Sequence, residues 1–391
     1  MAVRNVYIFV ADALREDHLP DPVKDGGKYV ATIAAGTNSP AGFSSIVSGL
    51  YPSQHQAQAF THRLDPSFNY LNAVTDRYDS RFFQVYETEL AAVLGTEQTL
   101  ENPVPDLNDS FVVLERDMTT HAPYGHSSYE EVDVGPQEYF GGKNVDWGRI
   151  RSDYRQASER VGERFRERLE CLEDHGLLDE TLVVFTSDHG ELLGEYGEMS
   201  HGEPLVPELT RVPTVFRHPD GEEEAPTTDL MSHVDLVPTI SDILGEPVPW
   251  NTPGGSVYSG EHVPYKICER RSEPHTLEEF SFQNYYEYLV RSVWGPGGGY
   301  AFNLTDAWGL AVHAFRQAPL FNPLRGRDAI RSFEALYQHL SPVRKFGEPR
   351  FDEVAAREYL QEMDDFSVQL SRTTEELSDS AREELRSLGY L

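Results

Sequence analysis

Three carboxylates and two imidazoles in this chain are placed where they could share a cation. Asp12 follows the run VYIFVA, Asp117 closes FVVLERD with His121 four residues later, and the pair Asp188-His189 follows TLVVFTS. Aspartate and histidine together make ligand sets for divalent metals. Each residue also has a simpler reading. Asp12 and Asp188 can cap a helix or a turn, and His121, just ahead of Ala122-Pro123, can be an ordinary loop histidine. What unites them is position: each lies just past the end of an apolar run.

Those runs are the elements that must do the positioning. Val6–Val10, Phe111–Leu114, Thr181–Phe185 and Val212–Phe216 are short, continuous, rich in β-branched and aromatic residues, and bounded by polar groups. They are predicted to be buried strands of the parallel type. Between them, Ile150, Tyr154, Ala157, Val161, Phe165, Leu169 and Leu172 recur every three or four residues with charges on the opposite side, which predicts a long amphipathic helix. Strands alternating with helices argue for a layered α/β domain. In such sheets functional groups collect beyond the carboxyl ends of the strands. After about residue 265 the texture changes to charged pairs and a GPGGG turn (295–299), predicting a small antiparallel piece, followed by a charged, helical tail from Glu353. The expected division is 1–265 for the main domain and 266–391 for a smaller subdomain. Asn108 and Asn303 open N-x-[ST] triplets, which are read as chance matches.

A different kind of chemistry is offered by TNSPAGFSSIVSGLYPSQH (37–55). Thr37-Asn38-Ser39-Pro40 is good helix-start chemistry, with Pro40 in the first turn. One of its hydroxyls could instead be a nucleophile. The run by itself leaves both readings open.

The formal net charge is −32, from 65 acidic and 33 basic residues, and only five of the basic residues are lysine. The acidic excess is spread along the chain, which suits a protein held in solution in concentrated salt. With no basic stripe, nucleic acid is excluded as a partner. No apolar run reaches eighteen residues, so no membrane span is expected. The start, MAVRNVYIFVADALRED, has no long apolar leader region. Cys171 and Cys268 stand far apart, implying no disulfide framework, and Cys171 is expected in the core. Cytoplasmic residence is the expectation.

Taken together the motifs resemble the sulfatase branch of the alkaline phosphatase superfamily. VADALREDHL (10–19) resembles its opening strand and turn, and TSDHGELLGEYGEMSHGEPLVPELTRVPTVF (186–216) its metal turn, Gly-Glu loop and Arg-Val-Pro strand. SHVDLVPTISDILG (232–245) resembles its Asp-x-x-Pro-Thr helix, and LRSLGYL (385–391) its closing run. The resemblance implies a three-layer α/β/α sandwich around a large mixed, mostly parallel sheet, with a small C-terminal α+β subdomain. It implies a metal-dependent hydrolase of sulfuric or phosphoric esters, acting on a small-molecule or glycan substrate. The alternatives are a phosphodiesterase or phosphotransferase of the superfamily, or a non-catalytic sulfatase-like binding protein.

Counting back from Ser48-Gly49-Leu50-Tyr51-Pro52, the resemblance places the nucleophile at Ser39, with Thr37 as the substitute and Asn38 beside it as a substrate contact. Asp12, Ser39, Asp188 and His189 would form one metal half-site. Asp117, His121 and His201 would form a second, or His121 and His201 would touch the ester and its leaving oxygen. One or two ions of Ca, Mg, Mn or Zn would serve. Two departures qualify the likeness. Sulfatases that use formylglycine carry Cys or Ser followed by x-Pro-Ser-Arg, whereas here Ser39 precedes Pro40-Ala41-Gly42-Phe43, so conversion to formylglycine is not expected. The second of the family's paired aspartates after the first strand is here Ala13. Arg15 is expected to pair with Glu16 or Asp17, Arg211 to be structural, and His18, His126 and His233 to carry no chemistry.

Overall fold

The computed structural model describes residues 3–107, 110–126, 139–140, 145–260, 262–272, 287–316, 329–366, 373–374, 377–378, 380–382 and 385. Residues 108 and 109 of the Asn108 triplet, and all but the first residue of the closing LRSLGYL run, lie outside them.

Eight strands form the main sheet: β1 (Asn5–Ala11), β2 (Lys28–Ile33), β3 (Asp79–Phe83), β4 (Gln98–Thr99), β5 (Phe111–Asp117), β6 (Thr181–Thr186), β7 (Arg211–Arg217) and β8 (Leu230–Ser232). Their order is β8-β2-β7-β6-β1-β5-β3-β4. β1 pairs in parallel with β5 and β6, so that Ala11 stands opposite Asp117 and Val10 opposite Thr186. β7 runs antiparallel to both of its neighbours. The sequence reading made Val212–Phe216 a parallel-type strand, and this is a correction. Burial on both faces removes the apolar–polar alternation whatever the strand direction.

Side chains alternate across the sheet, and two cores result. Val6, Ile8, Val10, Val112, Leu114, Leu182 and Val184 pack with Phe43, Ile46 and Val47 of α1 (Ser39–Ser48) and with Leu236, Val237 and Ile240 of α3 (Leu236–Leu244). Tyr7, Phe9, Phe111, Val113, Val183 and Phe185 pack with Val161, Phe165, Leu169 and Leu172 of α2 (Trp147–Asp174). Every apolar position read as the buried stripe of that helix is buried. Cys171 borders this second core rather than lying within it. The sheet is therefore covered by helices on both faces, with even-numbered residues of β1, β5 and β6 facing α1 and odd-numbered ones facing α2.

A second sheet of four antiparallel strands lies toward the C-terminus: β9 (Lys266–Ser272), β10 (Tyr288–Gly295), β11 (Gly298–Asn303) and β12 (Val343–Gly347). The GPGGG turn joins β10 to β11, where Gly297 has φ 89°. Around it lie α4 (Ala307–Arg316), α5 (Ala329–Leu340) and α6 (Glu353–Asp364). β9 is tied to the edge that carries the candidate ligands. Glu269 donates its N–H to Ala35 and accepts from the N–H of Ser53, and Lys266 bonds Asp235 at 2.7 Å. Among the described residues, no helix is long and apolar enough to cross a membrane.

Candidate active site

The carboxyl ends of β1, β5 and β6 bring Asp12, Arg116 and the Asp188-His189 turn to one place, and the start of α1 closes it from the side. Asp12 sits one residue past β1, its N–H bonded to the Asp117 carbonyl at 2.8 Å. Asp188 is two residues past β6, and one of its oxygens accepts from the N–H of Ala13 (3.1 Å) and of His189 (2.9 Å). Ala13, where the family has its second aspartate, takes a left-handed backbone with φ 62°. That conformation is costly for a residue with a Cβ, and here it turns an N–H onto Asp188.

Oδ1 of Asp12, Oδ2 of Asp188 and Nε2 of His189 are all buried, and none has a hydrogen-bond partner. Nε2 of His189 lies 3.4 Å from Oδ2 of Asp188 and 3.9 Å from Oδ1 of Asp12. Nδ1 of the same ring is 2.9 Å from the Gly190 carbonyl. That bond requires the proton on Nδ1 and leaves a lone pair on Nε2, the arrangement of a ligating histidine. Leaving three buried polar atoms aimed at one another costs free energy unless something satisfies them. Two hard carboxylate oxygens and an imidazole nitrogen fit a divalent cation, and the donor set alone does not choose among Ca, Mg, Mn and Zn.

Ser39 is the first residue of α1 and is fully buried. Its hydroxyl donates to Oδ2 of Asp12 (3.1 Å) and accepts from Nη2 of Arg116 (3.2 Å). Asn38 caps the helix, accepting from the N–H of Ala41 and donating to the Gln58 carbonyl. Its amide thus holds α1 rather than reaching into the site. The Thr37 hydroxyl donates to the Gly202 carbonyl and so anchors the loop that carries His201. Gly42 lets the first turn of α1 lie directly on the Asp188-His189 turn, since a Cβ there would be 2.7 Å from the Asp188 carbonyl oxygen.

The imidazoles of His121, His189 and His201 form one cluster, with the His201 ring 4.3 Å from that of His189 and 5.2 Å from that of His121. Nδ1 of His121 bonds the Ala122 carbonyl, which puts the proton on Nδ1 and the ring's lone pair on Nε2. Burial pulls His121 down to about 3 and His189 and His201 to about 4. Burial also raises Asp12, but the Arg116 guanidinium and the three imidazoles outweigh it and hold that carboxyl well below its usual range. Burial and the nearby charge of Asp12 push Asp188 up to about 6. Two close carboxylates therefore resist ionising together until a cation arrives.

Asp117 does not join this group. Glu115 and Asp117 are odd-numbered residues of β5 and face α2, where Arg168 grips Glu115 through two 2.8 Å bonds and Arg164 binds the other carboxylate. The second oxygen of Asp117 accepts from the N–H of Thr119 at 2.9 Å. Arg164 and Arg168 are one helical turn apart on α2 and match two same-face positions of the strand. Asp117 is thus half of an internal ion pair, and the expected Asp117-His121-His201 set is reduced to its two histidines.

The residue between those acids is one that the sequence reading missed. Arg116 faces the α1 side, 2.6 Å from Oδ2 of Asp12, with its guanidinium over the Phe43 ring. Strand parity carries the signal, since Arg116 shares a face with Val112 and Leu114. Glu191 was also missed. It is fully buried, 3.3 Å from Nδ1 of His201, and burial together with the Asp12 charge raises its carboxyl well above the usual range. His233, set aside earlier, is buried and joins the N–H of Ala35 to the Ser187 carbonyl. Arg15 forms a two-bond pair with Asp17, and also binds Glu195.

The sulfatase family profile matches residues 117–246. Over 404 aligned residues, 99% of this chain and 96% of the relative, the sequence is 30% identical to a protein of Haloferax volcanii described as the low-salt glycan biosynthesis sulfotransferase Agl7. The chain belongs to the sulfatase family of the alkaline phosphatase superfamily. The fold agrees. A solved structure described as BT1596, a 2-O GAG sulfatase, superposes with a TM-score of 0.60 at 14% identity, covering 95% of each chain. A phosphonate monoester hydrolase from Silicibacter pomeroyi superposes with a TM-score of 0.55 at 16% identity, covering 89% of this chain and all of that one. This sulfatase-family chain thus has the mostly parallel sheet and small antiparallel sheet that its sequence implies.

Proposed function

We propose that this protein cleaves a sulfuric ester of a glycan through a covalent ester on Ser39, with a divalent cation held by Asp12, Asp188 and His189. The observation that carries the reading is the Ser39 hydroxyl bonded to Asp12 beside three orphaned, buried ligand atoms. The acidic composition, and a full-length relative from Haloferax volcanii, support a setting of high salt.

Ser39 Oγ forms the new O–S bond as the bond from sulfur to the sugar oxygen breaks. Its proton moves along the hydrogen bond to Oδ2 of Asp12 while the N–H donors of Arg116 hold the developing alkoxide. The sugar oxygen departs with a proton supplied from the His121–His201 pair. Water then attacks the sulfur and gives a proton to that pair, Ser39 Oγ leaves and regains its proton from Asp12, and sulfate is released. Both rings are neutral before substrate arrives, and the charge of a bound anionic ester raises their basicity. A cation on the three ligands would polarise the sulfuryl oxygens as a Lewis acid. Asn38 and Thr37 act at one remove, the first by fixing the start of α1 and the second by fixing the His201 loop.

Transfer of the sulfuryl group from Ser39 to another hydroxyl uses the same intermediate. The description of the Haloferax relative as a sulfotransferase favours this second reading. One assay separates the outcomes. Aryl sulfate and aryl phosphate esters are offered in high salt with Mg, Mn, Ca or Zn, with and without a glycan acceptor. Sulfate release supports hydrolysis, and a sulfated acceptor supports transfer. Failure to cleave any ester with every metal overturns both readings.

A further inference from the structure

Away from the candidate active site, Glu203, His313 and His339 converge between the loop that carries His201 and the helices of the C-terminal region. We infer that these three side chains form a separate structural site for a zinc-class divalent cation, one that clasps the His201 loop to α4 and α5.

The geometry suits a small tetrahedral ion. Nε2 of His313 lies 2.9 Å from Nδ1 of His339 and 3.6 Å from Oε2 of Glu203. Metal–ligand bonds of about 2.0–2.2 Å set the edges of a tetrahedron near ~3.3 Å, between those two distances. Two imidazoles and one carboxylate are a donor set that zinc accepts readily and that calcium and magnesium, which favour all-oxygen cages, do not.

The surroundings are those of a built site. Once Nδ1 of His339 points inward, its Nε2 carries the proton and faces Oε1 of Glu198 at 3.3 Å. A carboxylate on the far nitrogen is what orients a ligating histidine and strengthens it as a donor. The backbone of His339 is held as well, because its carbonyl accepts from the Tyr288 hydroxyl (2.9 Å) and from Nδ2 of Asn303 (2.7 Å). The Tyr288 ring stacks on His313 at 3.8 Å with 10° between planes, fixing that imidazole's orientation. Both histidines are 1% exposed. Glu198 and Glu203 lie on either side of His201 and Gly202, the latter being the acceptor of the Thr37 hydroxyl. An ion here would pin the loop from the C-terminal side while Thr37 pins it from α1.

The test uses the full chain, stripped of metal with a chelator and titrated with Zn²⁺ against a chromogenic competitor in metal-free high salt. The Asp188→Asn variant removes the first site and should retain one tight equivalent, with Co²⁺ giving the intense visible bands of a tetrahedral ion. Adding His313→Gln or His339→Gln to it should abolish both signals. Glu198→Gln, which alters no ligand, should keep the stoichiometry and weaken that equivalent roughly 10–100-fold. Circular dichroism checks folding of each variant. The site is overturned if folded Asp188→Asn protein binds no tight Zn²⁺, or if its affinity survives loss of either histidine. These readouts do not depend on turnover, so they stand apart from the fate of the Ser39 reading.

Discussion

Nη2 of Arg116 donates to the Ser39 hydroxyl at 3.2 Å while the same guanidinium is 2.6 Å from Asp12, so one buried cation serves both the proposed nucleophile and a proposed metal ligand. Removing it should be felt in two ways. Arg116→Met should lower kcat by about 100-fold or more, the usual scale for losing a donor to developing charge. It should also destabilise the fold by about 3–5 kcal/mol in metal-free buffer, because Asp12 is left as an unpaired buried charge. Arg116→Lys should recover much of the stability and little of the rate, since an ammonium cannot reach both partners in a planar fork. Unchanged kcat in Arg116→Met would remove Arg116 from the mechanism.

Ser39→Ala should fold, because the Arg116–Asp12 pair persists without the hydroxyl. Its turnover should drop by about 1,000-fold or more, as for other lost nucleophiles. Mass analysis of the peptide containing position 39 should show unmodified serine in the wild type. It should show a sulfated serine after rapid acid quench with substrate. Formylglycine at that position would overturn the serine mechanism directly.

Much of this was legible before any coordinates, and the exceptions share a cause. The convergence of Asp12, Asp188 and His189 was legible because each follows a strand, and strand ends are where a parallel sheet collects its functional groups. That rule places a residue at an edge without saying which face it takes. Asp117 and Arg116 both close β5, and side-chain alternation sends the acid to Arg164 on α2 and the arginine to Ser39. Counting parity from Val112 and Leu114 would have made the distinction. The direction of β7 was hidden for a related reason, since a strand buried on both faces has no polar side to reveal its register. Glu198, His313 and His339 were out of reach because they meet only through tertiary packing, His339 reaching Glu198 across 141 residues and His313 across 26.

Acid should unfold the protein partly through His55, which lies outside the candidate active site. The imidazole is buried between the Ala57 N–H on Nδ1 and the Ser45 hydroxyl on Nε2, and burial lowers it to about 3. In the unfolded chain it takes a proton near pH ~6.5. Between those values the unfolded state binds the extra proton, so stability rises with pH across this window and is lost as pH falls through it. The contribution to the slope approaches ~1.4 kcal/mol per pH unit for one group. Denaturant titrations at pH 7 and pH 5, at fixed high salt, should show this loss. His55→Asn should be less stable at pH 7 and should depend less on pH. An unaltered slope in a folded His55→Asn protein would assign the acid sensitivity to other groups.

Gly42→Ala sets two effects of opposite sign against each other at the point where α1 meets the metal turn. In a helix interior, alanine is favoured over glycine by about 0.5–1 kcal/mol. Here the added Cβ would stand 2.7 Å from the Asp188 carbonyl oxygen and 3.0 Å from its Cβ. Asp188 lies two residues past a central strand and cannot yield cheaply, so the helix start must move, at a cost of about 1–3 kcal/mol for overpacking. The close approach should win, and the variant should melt below the wild type. Because the displaced helix start carries Ser39, which bonds Asp12, and presses on Asp188, the rise in Tm on adding Mn²⁺ should shrink too, through weaker binding to the folded state. A Gly42→Ala protein with higher Tm and an undiminished Mn²⁺ response would mean that α1 does not rest on the metal turn.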